Sequence, residues 1–280
     1  MIAFRYALFR YVLALAVALA AINASAGAEK SIVLASTTSV EASGLLANIL
    51  PQFTAKTGIT VNVVAQGTGK ALDTARRGDA DIVLVHDPEA EREFIDEGYS
   101  STVRQIAWND FIIVGPSSDP AHILGGKDSV AALKAIASAQ AAFVSRGDRS
   151  GTNAAELRLW RTAGRTSEAL SPEKWYHDIG GGMGQALNAA SAMNAYTLTD
   201  RATWLSFNNK GSLVIVVEGD ARLINRYDVI ELNPGKHGVA RLDAAKAFAE
   251  WLVSPEGQQA IGAYRVNGQR LFNPSADSPK

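Results

Sequence analysis

Five stretches of the chain break from an apolar run into small hydroxyl-bearing or glycine residues and then enter an amphipathic helical pattern. They are Ser36-Thr37-Thr38-Ser39, Gly67-Thr68-Gly69, Ser145-Arg146-Gly147-Asp148-Arg149-Ser150-Gly151-Thr152, Gly180-Gly181-Gly182-Met183-Gly184 and Thr197-Leu198-Thr199-Asp200. A helix start leaves backbone N–H groups unpaired and carries a partial positive charge. Small residues there let an anion come close, and hydroxyls add donors. One such site is commonplace. Five on one chain, one of them holding an arginine, point to convergence on a single anion.

The third stretch is the richest. Arg146 can present a planar fork of donors to an oxyanion. Ser145, Ser150 and Thr152 offer hydroxyls, Gly151 permits close backbone approach, and Thr152 is also placed to cap the helix that follows. The plain alternative is a turn in which Arg146 and Asp148 form a surface ion pair. In the first stretch, Thr37, Thr38 and Ser39 exceed what one helix cap, by Ser39 or Ser43, requires. Thr68 is a candidate contact or part of an ordinary turn. Thr199 is a candidate contact and a candidate cap for the helix carrying Trp204 and Phe207, with Arg201 pairing a nearby acid. The glycine cluster reads equally as a flexible loop.

Other chemistries fail on spacing. Gly67-Thr68-Gly69-Lys70 resembles part of a phosphate loop, but Val64 and Ala71 stand where glycine and a hydroxyl residue are needed. The glycine cluster lacks the third glycine of a dinucleotide fingerprint. His86, His122, His177 and His237 are scattered without metal-ligand spacing and read as ordinary surface or loop residues. No Gly-x-Ser-x-Gly elbow exists, which leaves a nucleophile-elbow hydrolase unsupported. Arg146-Gly147-Asp148 spells an adhesion tripeptide, a match too short to carry weight.

The elements that must position these residues alternate. Residues 31–35, 60–65, 81–85, 112–115, 142–145 and 213–217 are strand-like runs. Between them lie helical faces. Leu45, Leu46, Ile49, Leu50 and Phe53 form one, with Pro51 expected to kink or split it and Gly58 to end it. Val130, Leu133, Ile136 and Ala137 form another. Leu157, Trp160 and Ala163 are expected to face inward on the helix after the arginine loop. Met183, Ala186, Leu187, Ala190 and Met193 make a further stripe, as do Ala244, Ala247, Phe248, Trp251 and Leu252. Alternation of this kind predicts an α/β fold with largely parallel sheets, whose ligand crevice lies at the carboxyl ends of the strands. Polar-rich crossings at 108–120 and 217–234 predict a chain that leaves one lobe, builds a second and returns. Lobe I then comprises 29–112 and 217–280, and lobe II comprises 113–216.

The chain has 280 residues, 47% hydrophobic and 20% charged, with a net charge of −1. That profile is a soluble protein with a sizeable core and no reason to bind nucleic acid. Residues 1–28 differ. Arg5 and Arg10 precede an apolar core at 11–22, and 24–28 supply small-x-small cleavage sites. This is the layout of a cleaved secretory signal, shorter than the ~20 apolar residues of a membrane span. The absence of cysteine suits an exported bacterial protein whose core, rather than disulfides, stabilises it.

Taken in order, Ser36-Thr37-Thr38-Ser39, Gly67-Thr68-Gly69, Arg77-Gly78-Asp79-Ala80-Asp81 and Asp87-Pro88-Glu89-Ala90-Glu91 resemble the tungstate-binding proteins of bacterial Tup-type ABC transporters. So do Asn109-Asp110-Phe111, Ile113-Val114-Gly115-Pro116, Val144-Ser145-Arg146-Gly147-Asp148, Gly182-Met183-Gly184 and Ala195-Tyr196-Thr197-Leu198-Thr199-Asp200-Arg201. The run Trp251-Leu252-Val253-Ser254-Pro255-Glu256-Gly257-Gln258 is similar to many solute-binding proteins. Two positions depart from that family: Ser36 stands for its first threonine, and Asn153 for a histidine.

The resemblance implies a type II periplasmic-binding fold, two-lobed, each lobe a mainly parallel sheet flanked by helices, the lobes joined by two crossing strands. It implies that Thr38, Ser39 and Arg146 touch the ion, and that the ion passes to an ABC permease driven by a cytoplasmic ATPase. Tungstate is the expected ligand, with molybdate or phosphate as alternatives on the same fold and an exported phosphate-ester enzyme as a more distant one. Phosphate keeps a proton near neutral pH and favours a carboxylate acceptor, whereas tungstate and molybdate need donors only. Asp148 is expected to brace Arg146. The expected protein has no cofactor, is a periplasmic monomer and is not an enzyme.

Overall fold

The first buried run extends into strand β1 (Lys30–Thr37), which leads directly into α1 (Thr38–Ala42) and then α2 (Leu45–Thr57). β2 (Ile59–Gln66), α3 (Thr68–Arg76), β3 (Ile82–Val85), α4 (Pro88–Asp96) and a long β4 (Ser100–Pro116) follow. Next come α5 (Ser129–Ser138), β5 (Phe143–Ser145), α6 (Gly151–Thr162), α7 (Ser167–Leu170), β6 (Tyr176–Asp178), α8 (Met183–Met193), β7 (Tyr196–Asp200), α9 (Arg201–Ser206) and β8 (Leu213–Val217). A 3-10 turn (Ala221–Leu223), β9 (Ile224–Leu232), α10 (Leu242–Val253), α11 (Pro255–Ala263) and the short β10 (Arg265–Val266), β11 (Gln269–Arg270) and β12 (Asn273–Pro274) complete it. This computed structural model describes residues 30–236 and 241–276; the expected signal segment and His237 lie outside the described residues.

Ten strands form one sheet in the order β2-β1-β3-β9-β4-β7-β5-β6, with β8 and β12 paired to β4, while β10 and β11 pair separately. Pairing is parallel in two groups, β2-β1-β3 and β6-β5-β7. Each parallel link is made through an intervening helix, as a parallel return requires. The expectation of mainly parallel sheets holds only within those groups. β4 pairs antiparallel with β7, β8, β9 and β12, and β3 with β9. The reason is the length of β4: its first part pairs with β9 and its last part with β7 and β8, so one strand runs from the first section of the sheet into the second. β9 brings the chain back beside it.

Alternation along the strands gives each section two buried faces. In the first, Ile32, Leu34, Phe53, Phe248 and Trp251 pack on one side, and Leu72, Val83, Val85 and Phe94 on the other. In the second, Leu133, Phe143, Trp160 and Tyr196 pack on one side, and Ile112, Val144, Leu187 and Trp204 on the other.

Local details depart from expectation for identifiable reasons. α2 runs through Pro51, and the break falls earlier, at Gly44 with φ of 77°. A Cβ on Gly44 would lie 2.4 Å from the Tyr264 hydroxyl, which donates to Ser43 O at 2.7 Å. That contact, not the proline, separates α1 from α2. On α6 the inward face is Ala155, Glu156, Leu159 and Trp160, with Leu157 only half-buried, because a buried carboxyl rather than leucine points toward β5. Met193, at the end of its stripe, is exposed.

Candidate functional site

β5 ends at Ser145, and the loop that follows turns back into α6. Gly147 takes φ of 58°, and a Cβ there would lie 1.4 Å from a carboxylate oxygen of Asp178. Only glycine lets the loop fold this closely. The Gly181 N–H donates to Arg146 O at 2.9 Å, so the glycine cluster supports the backbone of the arginine loop. Arg146 is buried. Its Nη1 donates to Thr152 Oγ1 at 3.3 Å and its Nη2 to Asp148 Oδ2 at 2.5 Å. Its Nε–H is buried with no partner in the protein. Asp148 therefore braces the guanidinium.

The cap of α6 is Ser150, whose hydroxyl accepts from Asn153 N at 3.3 Å; Thr152, the expected cap, lies two residues further in and turns its hydroxyl to Arg146. Ser145 is a correction as well. Its hydroxyl donates to Glu156 Oε2 at 2.8 Å and accepts from Asn153 Nδ2 at 3.2 Å, so it ties the loop to α6. Asn153 also accepts from Arg149 N, which gives the amide a bracing role.

Glu156 accepts from Tyr176 Oη at 2.7 Å in addition, and burial pushes its carboxyl up to about 7. A carboxyl raised in the folded state holds its proton below that value and bears the burial penalty only when ionised above it. Its effect on stability is therefore absent below its unfolded pKa, grows as pH rises, and is complete above about 7. Glu156→Gln should reduce the loss of stability between about pH 5 and pH 8 by up to about 3 kcal/mol, read from urea unfolding of both proteins at each pH. An identical loss in both would contradict this.

On the first section of the sheet, Thr37 is the cap of α1, accepting from Val40 N at 3.2 Å. Its Oγ1 lies 3.0 Å from Ser39 Oγ, and Ser39 Oγ lies 2.8 Å from His86 Nε2. Thr38 is exposed, so its side chain stands outside this buried chain of hydroxyls. α3 begins at Thr68 after Gly67, with no side-chain cap, and Thr68 Oγ1 is buried with no partner in the protein.

The two sections meet here. A Cβ on Gly151 would lie 2.4 Å from His86 Cε1, and one on Gly67 would lie 3.8 Å from Arg149 O. Beside this seam Arg158 pairs with Asp87 at 2.7 Å and Arg161 with Glu89 at 2.7 Å. The structure thus brings Thr37, Ser39 and Thr68 together with Arg146, Ser150, Gly151 and Thr152. The Thr199 hydroxyl donates to Asp200 O; Asp200, not Thr199, caps α9 by accepting from Thr203 N at 2.8 Å. Arg201 pairs with Asp110 and Glu218, as expected.

His86 overturns the expectation of an ordinary surface role. It is buried at the end of β3, with Nδ1 3.0 Å from Asn225 Oδ1 and its ring 5.0 Å from that of Tyr227. Burial lowers its pKa, against the opposing pull of Asn225 and of Asp87 and Asp200. Neither His86 nor Asn225 is detectable from spacing, since their partners are far away in sequence. What the seam offers is a set of donors, two of them buried and unpartnered, with the nearest acid already neutralised. Such a lining suits a small, fully ionised anion.

Comparison with known proteins agrees in kind. Residues 23–256 match the model of the PBP superfamily domain. The chain is 45% identical over 253 residues to the tungstate-binding protein TupA of Peptoclostridium acidaminophilum, covering 89% of this chain and 87% of that protein. Among solved structures it resembles the tungstate-binding protein TupA from Desulfovibrio alaskensis G20, with TM-score 0.80 and 41% identity, covering 89% of this chain and 100% of that one. It also resembles the tungstate ABC transporter structure from Geobacter sulfurreducens, with TM-score 0.74 and 40% identity over 85% of this chain and 100% of that one.

Proposed function

The chain belongs to the PBP superfamily and, within it, to the family of the tungstate-binding proteins, and from that premise we propose that it captures a tetrahedral oxyanion, tungstate first, and delivers it to an ABC permease. The two sections of the sheet are the two lobes, with the anion held at their seam. Thr37, Ser39 and Thr68 act from lobe I, and Arg146, Ser150 and Thr152 from lobe II, joined by first-turn N–H groups of α3 and α6.

The observation that carries this reading is that, of the four buried side-chain polar atoms without a partner among the described residues, two, Thr68 Oγ1 and Arg146 Nε, belong to the residues at the seam, the others being the Trp160 and Trp251 indoles. A buried donor left unpaired is unfavourable by about 1–3 kcal/mol, so a protein retains one where a ligand completes it. Asp148 bears on selectivity against phosphate: its carboxylate is committed to Arg146 and Ser150 N, so a protonated anion finds no free carboxylate to accept its hydrogen there. The protein acts as an exported monomeric receptor without turnover. Among the described residues no helix is long and apolar enough to cross a membrane.

Calorimetric titration with tungstate, molybdate, phosphate and sulfate tests the reading; tungstate and molybdate should bind far more tightly than the other two. Thr68→Val keeps the shape and removes the hydroxyl. It should weaken tungstate binding about tenfold and leave the unfolding temperature unchanged or slightly raised, because an unpaired buried donor is gone. A variant that binds as the parent does would remove Thr68 from the contact set.

A further inference from the structure

The hydrogen bonds around His86 have a direction. Asn225 Nδ2 donates to Asn109 Oδ1 at 2.8 Å and to Tyr227 Oη at 2.8 Å, and Tyr227 Oη donates onward to Asn109 Oδ1 at 3.3 Å. Both amide hydrogens of Asn225 are thereby committed, and its Oδ1, 3.0 Å from His86 Nδ1, can only accept. His86 Nδ1 must carry the hydrogen. In a neutral imidazole the other nitrogen is then an acceptor, so Ser39 donates its hydroxyl hydrogen to Nε2. Thr37 Oγ1 accepts from Val40 N and passes its own hydrogen to Ser39. The hydroxyl hydrogens of Thr37 and Ser39 thus run toward His86, away from any anion at the start of α1.

Resting on the proposed oxyanion site, we infer that the dianion binds together with one proton, which His86 Nε2 takes up, reversing this chain so that Ser39 and Thr37 turn their hydroxyl hydrogens to the anion. His86 is a positioning residue here. Protonated, it donates from both nitrogens: Nδ1–H keeps its bond to Asn225, and Nε2–H now donates to Ser39 Oγ. No heavy atom need move. One proton frees two donors and adds a positive charge beside Arg146, whose own charge Asp148 already partly offsets, so more of the dianion's charge is met.

The surroundings favour this sequence. Burial holds the free imidazole neutral, helped by Arg146 on the loop before α6, while Asn225, Asp87 next in the chain and Asp200 at the end of β7 oppose them. The Tyr227 ring lies against it from β9. His86 also borders a cavity of ≈ 380 Å³ whose charged walls are Glu91, Arg158, Arg222, Arg226 and Asp228, of mixed sign. Only the arriving dianion changes the balance at Nε2, and it raises the affinity of that nitrogen for a proton.

The experiment is calorimetry of the purified protein with sodium tungstate near neutral pH, repeated in buffers of different ionisation enthalpy. Uptake of about one proton per anion is expected, with affinity falling about tenfold per pH unit between the pKa of His86 in the free state and its higher pKa in the bound state. His86→Gln places a permanent amide donor against Ser39, and should bind tungstate with no proton uptake and a flat pH profile. Should that variant fail to fold, the Cε1–H resonance of His86 in the parent protein, followed by NMR with and without tungstate, should move to the imidazolium position on binding. Tight tungstate binding without proton uptake overturns this inference and leaves the receptor reading intact. Unaltered uptake in His86→Gln also overturns it. Failure of every oxyanion to bind overturns both.

Discussion

Arg146→Ala is expected to lower tungstate affinity by about a hundredfold or more, since truncating one partner of a buried charge pair costs 2–5 kcal/mol. The size of the effect follows from how the guanidinium is held. Nη1 and Nη2 are fixed on Thr152 and Asp148, so the group meets the anion in a single orientation with Nε–H free. Little ordering remains to be done on binding. Removing it does more than delete a donor, because it leaves the Asp148 carboxylate facing a dianion without its countercharge. Arg146→Ala/Asp148→Asn should therefore recover part of the loss, a coupling that a double-mutant cycle measures. Arg146→Lys keeps the charge but not the planar fork and should fall between. Because Asp148 is partly exposed, the fold should tolerate all three, and circular dichroism melts should stay within a few degrees of the parent. Unchanged tungstate affinity in Arg146→Ala would remove the residue from the site and the seam with it.

What the sequence disclosed and what it hid divide along physical lines. The α/β alternation was legible because apolar periodicity is a property of short windows, and so was the arginine loop, whose strand, glycines and helix start are contiguous. Register between distant strands is not local. The polar run at 108–120 suggests a passage between lobes, but nothing in residues 100–116 gives the partners or direction of the strand they form, so the antiparallel centre of the sheet was unreadable. Hydroxyl direction is equally hidden. Ser145 and Thr199 have the right type and place, yet one turns to Glu156 and the other to Asp200 O, because β-strand alternation and buried carboxyls decide the rotamer. His86 is hidden for the same reason in reverse. It is a lone histidine in sequence, and its partners Ser39, Asn225 and Gly151 converge on it only when three chain segments fold together. Asp87 right after it, capping α4, gave the segment the look of an ordinary helix entry.

Gly151→Val should reduce tungstate affinity by about a hundredfold without removing any donor to the anion. The argument is steric. Even a Cβ on Gly151 would stand 2.4 Å from His86 Cε1 and 2.9 Å from its Nδ1, well inside van der Waals contact. His86 cannot yield, because Ser39, Asn225 and the Tyr227 ring hold it from three sides. Gly151 cannot yield either, being the first residue of α6 directly after its cap. The strain is relieved only by parting the two sections, which also breaks the Arg158–Asp87 and Arg161–Glu89 pairs at the rim. Rim pairs are individually weak, so this separation does not threaten either core. A penalty of about 3 kcal/mol on the closed arrangement is enough for the stated loss, since affinity scales with the population of the competent state. Small-angle scattering distinguishes this from loss of a contact: the parent should contract on adding tungstate, whereas Gly151→Val should stay expanded at concentrations that saturate the parent. Thr68→Val, which removes a donor and leaves the seam unobstructed, should still contract once saturated. If Gly151→Val closed normally and bound normally, His86 and Gly151 would not be the surfaces on which the two halves come together, and the anion would have to be held elsewhere.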